Sequence, residues 1–212
     1  DTSGYRRIKN VSIMKLSKDG HSVTGSKTLI NCDCLGVSGG WTPAVHLFTQ
    51  SGGKLKFDYD DNIFKPNKYP SDQISIGACN GEFDLDTIIK NFNNNVKTYL
   101  GIEKTSYENL NISASKEILK KNIWLLPSNK PIGKTKSFVD FQNDATAKDI
   151  KIALREGFRS IEHVKRYTTT GMGTDQGKLG NMHALGIISD TSGVKMSDLG
   201  TTTFRPPYTP LT

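Results

Sequence analysis

Between Ile74 and Gly101 the chain reads ISIGACNGEFDLDTIIKNFNNNVKTYLG, and this stretch constrains the fold more than any other. Ile74 and Ile76 alternate as a short buried strand. Gly77-Ala78-Cys79-Asn80-Gly81 is a turn of small residues. Asp84 is placed to cap a helix whose inner side carries Ile88, Ile89, Phe92, Val96, Tyr99 and Leu100, and Gly101 stops it. Strand, small-residue turn and helix start together present backbone N–H groups to an anion or cofactor. The candidate contacts are Gly77, Ala78, Asn80 and Gly81 in the turn, with Leu85 and Thr87 at the helix start. No G-x-G-x-x-G accompanies them, so the signal is incomplete by itself.

The preceding half reads mainly as strands. Val11 to Leu16 alternates, Lys18-Asp19-Gly20 is a hairpin-type turn, and Ser22–Val23 resumes extension. Leu29 to Val37, LINCDCLGV, is apolar on both faces near its end and is expected to be an inner strand. Gly39 and Gly40 follow it, where glycine allows a sharp turn and close approach of a ligand. Pro43 is expected to open a helix with Thr42 as cap, ended by Ser51-Gly52-Gly53. Residues 54–72 read as a loop broken by Pro66 and Pro70. Its Asp58, Asp60 and Asp61 suggest a cation site or, since the spacing is not that of a calcium loop, a solvated acidic turn.

Residues 102–136 are polar, Lys- and Asn-rich, with one apolar island at Ile123–Pro127 that reads as a docking strand. A second unit begins at Phe138. Thr146 with Asp149 resembles a capping box, and the helix it opens stops at Gly157. The segment SIEHVKRYTTTGMGTDQG, from Ser160 to Gly177, pairs a helix start with cations, hydroxyls and glycines. Lys165, Arg166, Thr168, Thr169 and Thr170 form a candidate anion cradle. The plainer reading is a helix C-terminus with favourable cations and a glycine stop. A short apolar helix over Asn181–Ile188 precedes the tail.

The formal net charge is +7, but the cations are spread and no long Lys/Arg run occurs. No nucleic acid is expected; an acidic partner protein fits the basic surface. Cys32, Cys34 and Cys79 offer neither a disulfide framework nor a tetrahedral metal site, and read as small buried apolar residues in a reducing cytoplasm. No apolar run approaches the roughly 20 residues that span a bilayer, so no membrane partner is expected. The start lacks Met and a signal pattern, and the proline-rich end resembles a linker, so an internal piece of a longer polypeptide is expected.

Four stretches, CDCLGVSGGWTPAVHLFTQSGGKLKF (32–57), FVDFQNDATAKDI (138–150), REGFRSIEHVKRYTTTGMGTDQGK (155–178) and GTTTFRPPYTP (200–210), carry a collinear resemblance. Together they resemble the alpha subunit of heterotetrameric sarcosine oxidase. The resemblance implies an α/β fold: residues 1–101 as the C-terminal part of a pyridine-nucleotide-binding, Rossmann-like domain, and 102–137 as a connection. Residues 138–190 would be a small helical, ferredoxin-like domain, and 191–212 a linker towards a folate-binding aminomethyltransferase domain. It further implies NAD at Gly39, Gly40, Gly77, Ala78, Asn80 and Gly81, FMN at a subunit interface, FAD in the partner, and tetrahydrofolate bound beyond the chain. Beta, gamma and delta subunits would be the partners, in a cytoplasmic oxidase that demethylates sarcosine and makes hydrogen peroxide. The small domain also resembles modules that hold a two-iron two-sulfur cluster on four cysteines. The matching positions here are Asp140, Gln142, Asp175 and Gly180, and without thiolates no such cluster is expected. No catalytic acid or base is assigned; Asp144, Glu162 and His163 qualify by residue type alone. Two other readings are a ligand-free scaffold and the alpha chain of a related opine or proline dehydrogenase.

Overall fold

A computed structural model describes residues 1–70, 72–101 and 122–206. The chain opens with an antiparallel three-stranded sheet, β1 (Thr2–Gly4), β2 (Ile8–Leu16) and β3 (Val23–Asn31), in that order. The turn expected at Lys18–Gly20 is present: Asp19 accepts from His21 N–H at 3.1 Å, and Gly20 takes a left-handed φ of 77°. The expected inner strand is not. β3 ends at Asn31, Leu29 and Ile30 are exposed, and Val37 is 84% exposed. β3 is the outer strand of a sheet whose faces lie largely open, so its apolar residues have no layer to enter.

The helix α1 begins at His46 and ends at Gln50, not at Pro43 with a Thr42 cap. Val45 N–H bonds Pro43 O at 3.0 Å, and this tight turn delays the helix. Gly53 closes it because a Cβ there would lie 2.4 Å from the Phe48 ring.

Residues 54–72, read above as a loop, contain a hairpin of β4 (Lys54–Asp58) and β5 (Ile63–Lys68). Phe57 and Phe64 face each other across it, edge to face with centroids 4.9 Å apart and each only 3% exposed. The acidic residues are its turn. Asp58 Oδ1 accepts from the N–H groups of Asp60 and Asp61 at 2.9 and 3.2 Å, and Lys65 Nζ bridges Asp58 and Asp61. Pro66 is tolerated because a two-stranded ribbon leaves one side of each strand unpaired.

No strand forms at Ile74 and Ile76; residues Gly77–Asn80 make a 3-10 turn, and Ile74 is exposed. The helix α2 (Leu85–Leu100) has the expected ends: Asp84 accepts from Thr87 N–H at 2.9 Å, and Gly101 is left-handed. Its inner side is less covered than expected, since none of its residues is buried and Phe92, Tyr99 and Leu100 are exposed.

The second unit holds the core. The strands β6 (Phe138–Asp140) and β7 (Ala145–Thr146) pair, and α3 (Ala147–Arg155), α4 (Ile161–Thr168), α5 (Asn181–Ser192) and α6 (Met196–Leu199) follow. The capping box at Thr146 and Asp149 is formed. Ile150, Val164, Leu185 and Ile188 are fully buried, and Phe57 and Phe64 of the β4–β5 hairpin join the same cluster. The island at 123–127 does pack on the core, through Trp124 and Leu125, but as irregular chain rather than a strand. The fold is therefore mixed α/β. Every described strand pair is antiparallel, so no parallel strand–helix–strand unit of the Rossmann-like kind lies among the described residues.

Candidate functional site

The glycine turn at α2 is built from the inside. Gly77 and Gly81 take left-handed φ values of 77° and 82°, and a Cβ on Gly81 would meet Lys65 Cε at 2.7 Å. The Asn80 side chain accepts from Tyr69 Oη at 3.1 Å and donates to Glu82 Oε1 at 3.3 Å. Glu82 Oε1 also accepts from Asn91 at 2.7 Å, while its Oε2 is buried without a hydrogen-bond partner. Sequence reasoning missed Glu82; its only signal was an acid directly after the N-G of the turn. Thr87 is occupied by the Asp84 cap, through both its N–H and its hydroxyl. Leu85 is exposed, and Ala78 lies within the 3-10 turn. With Glu82, Asp84 and Asp86 around this helix start, the local charge opposes an anion and suits hydroxyl or amine donors. Gly39 and Gly40 belong to a different neighbourhood: Gly39 faces His183 of α5, and Gly40 has a φ of 117°.

The second candidate region, at the end of α4, turns inward. Thr168 Oγ1 donates to Val164 O at 2.8 Å and lies 2.8 Å from Thr170 Oγ1; both threonines are buried. Thr169 ends the helix in a left-handed conformation, φ 61°, and its hydroxyl donates to Thr168 O at 2.6 Å. Lys165 Nζ reaches the Thr203 carbonyl at 3.4 Å. Arg166 is exposed. The structure thus places these five residues together in sequence but does not turn their donors towards one anion.

What the threonines lead into is a glycine loop, residues 169–180, sewn to β6. The Asp140 carboxylate, 6% exposed, accepts from Gly171 N–H at 2.6 Å, Gln142 N–H at 2.8 Å and Asn143 N–H at 3.0 Å. Burial pushes its pKa up, but these donors, Gly171 foremost, hold it below the usual carboxylate value. Gln142 donates to Thr174 Oγ1 at 2.6 Å and accepts from Asp175 N–H at 3.0 Å. Asp175 in turn accepts from Gly177 N–H at 3.0 Å. Gly180 packs so closely that a Cβ would lie 2.4 Å from Val139 O. The positions matched to cluster ligands do gather here, yet they offer oxygens already bonded to backbone and no sulfur; Cys32, Cys34 and Cys79 lie outside this loop, and none of them is buried as expected, Cys34 being exposed because the chain past β3 runs uncovered. An iron–sulfur cluster does not fit this donor set. Among the described residues no group of three His, Cys, Asp or Glu is arranged to hold a metal, and no helix is long and apolar enough to cross a membrane.

One buried titratable group escaped the sequence reading. His46 packs against Phe204, the rings tilted at 49° with centroids 3.9 Å apart, and is 7% exposed. Burial, helped by Lys178 and opposed by Asp175, lowers its pKa from 6.5 to about 4.

Comparison with known proteins shows what this chain is similar to. Residues 134–212 match the sarcosine oxidase A3 domain family. The whole chain is 33% identical to the alpha chain of a sarcosine oxidase from Rhizobium meliloti over 22% of that protein, and 88% of it is 34% identical to a Corynebacterium counterpart over 20% of that protein. The chain thus spans about a fifth of the length of these relatives. A shorter similarity, 34% over 68 residues, reaches a component of the opine oxidase of Rhizobium meliloti, covering 32% of this chain and 15% of that protein. In fold, the chain superposes on the L-proline dehydrogenase of P. horikoshii with a TM-score of 0.64 at 18% identity, over all of this chain and 42% of that one.

Proposed function

We propose that this chain belongs to the sarcosine oxidase alpha-chain family, of whose similar members it spans about a fifth, and that it serves within a multi-subunit flavin oxidoreductase acting on sarcosine or a related amino acid. The observation that carries this reading is the collinear identity along the entire chain, 33% over 229 aligned positions. In this reading beta, gamma and delta subunits complete the enzyme in the cytoplasm. FAD sits in the partner, FMN at the interface, and tetrahydrofolate receives the one-carbon unit; when bound, the flavins supply the hydride and oxygen chemistry.

This chain's own share is binding and placement. NAD, in this reading, meets Gly77–Gly81 through backbone and through Asn80. The carboxylates around the α2 start make that turn a poor seat for a diphosphate. Arg166 and Lys165 face the partner or a flavin phosphate only if Lys165 leaves Thr203. A scaffold role without a ligand of its own is favoured by one observation: the hydroxyls of Thr168 and Thr170 are engaged with each other and with the helix.

The test is co-purification of the protein from its native context, with the visible spectrum, the masses of accompanying chains and sarcosine-dependent peroxide formation recorded. Flavin absorbance, larger partner chains and peroxide are expected. A colourless chain without partners or activity overturns the oxidoreductase reading and leaves the scaffold. Peroxide from another secondary amine, and not from sarcosine, would correct the substrate alone.

A further inference from the structure

Beyond α6 the chain turns at Gly200, φ 67°, and runs back across the helical unit. Three residues in a row are then caught by three different elements. Thr202 Oγ1 accepts from Asn181 Nδ2 at 2.9 Å, both residues being buried. The Thr203 backbone is gripped from both ends by one face of α4: its N–H donates to Glu162 at 2.6 Å, and its carbonyl accepts from Lys165 at 3.4 Å. A spacing of three residues puts that acid and base side by side on a helix. Phe204 packs against the His46 ring at a tilt of 49°.

Two of these anchors also adjoin the glycine loop. Asn181 Oδ1 occupies the space beside Gly171 and Gly177, where added Cβ atoms would lie 2.5 and 2.1 Å from it. Asn181 N–H further bonds Gly177 O at 2.9 Å. His46 and Phe204 line one cavity with Asn181 and with Gly177 and Lys178 of the same loop. Packed interiors respond to displacement by switching rather than by smooth deformation, so side chains shared by two segments couple their states.

We infer that residues 201–204 are a strap whose seating holds the 169–180 loop in its observed conformation, with Asn181 and His46 as the transmitting side chains. Whatever draws on the chain at the strap, such as a partner surface or further polypeptide, would reset the loop. The charge grip on Thr203 belongs to α4 and engages backbone alone, so it can be cut without touching the loop.

Hydrogen exchange of the intact protein tests this. Glu162→Ala should speed exchange at the Thr203 amide and, by at least tenfold, at the amides of Gly177 and Asn181. Phe204→Ala should do the same from the other anchor. Acceleration confined to residues 202–204 overturns the strap as a control of the loop. If either variant loses its helical circular dichroism, the unaltered protein decides: in low urea the strap and loop amides must open with the same denaturant slope and free energy. Distinct slopes overturn the inference as firmly.

Discussion

His46 couples this fold to pH. Its imidazole is kept neutral down to about 4 in the folded chain against 6.5 when free. Below 6.5 the unfolded chain takes up a proton that the folded one refuses, so stability falls as the pH drops from about 6.5 towards 4 and levels off beneath. The charges that bear on it are Lys178, which deepens the effect, and Asp175, which opposes it. Urea unfolding of the intact protein at pH 7.5 and at 4.5 should show the loss, and His46→Gln should flatten it. Asp140 acts lower on the scale. Its donors keep it ionised, so the stability it contributes is present above its ordinary value of 3.8 and disappears as the pH falls through its depressed one. Asp140→Ala strands the N–H groups of Gly171, Gln142 and Asn143, and should cost about 2 to 3 kcal/mol in chemical denaturation, charged hydrogen bonds being the strong ones.

The ends of α2 and the start of α3 were the most legible part of the sequence, unlike the start of α1. Asp84, Gly101 and the Thr146–Asp149 box act locally, within one turn of the residues they cap, and need no knowledge of the rest of the chain. Thr146→Ala should therefore lower the stability of the helical unit by about 1 kcal/mol, read as a shift in its thermal midpoint. What failed was burial. Ile74, Leu29 and Ile30 look like core residues in isolation, but only packing decides that, and no layer covers them. The β4–β5 hairpin was hidden for the opposite reason: prolines and aspartates advertised a loop, while the pair that makes it a hairpin, Phe57 and Phe64, is held in place by the distant helices. The same held for the candidate site. Lys165 and the threonines were found by type, but their partners, Thr203 and Val164, turn a cradle into a clasp.

At the scale of the whole molecule, the hydrophobic cluster joins the hairpin to α3, α4 and α5. Phe57→Ala should therefore cost about 3 to 5 kcal/mol and lower the melting of the helical unit, although Phe57 lies far from α3 along the chain. Calorimetry showing the helical transition unmoved would detach the two. The open sheet β1–β3 and the thinly covered α2 are the other side of this arrangement, since they share little with that cluster. Finally, Trp124 lies so close over α5 that any Cβ at Gly186 would sit 2.1 Å from its ring, whereas Trp41 is 81% exposed. With only these two tryptophans, the protein carries its own optical gauge: Trp41→Phe would leave a single emitter whose colour reports the closure of the helical unit alone.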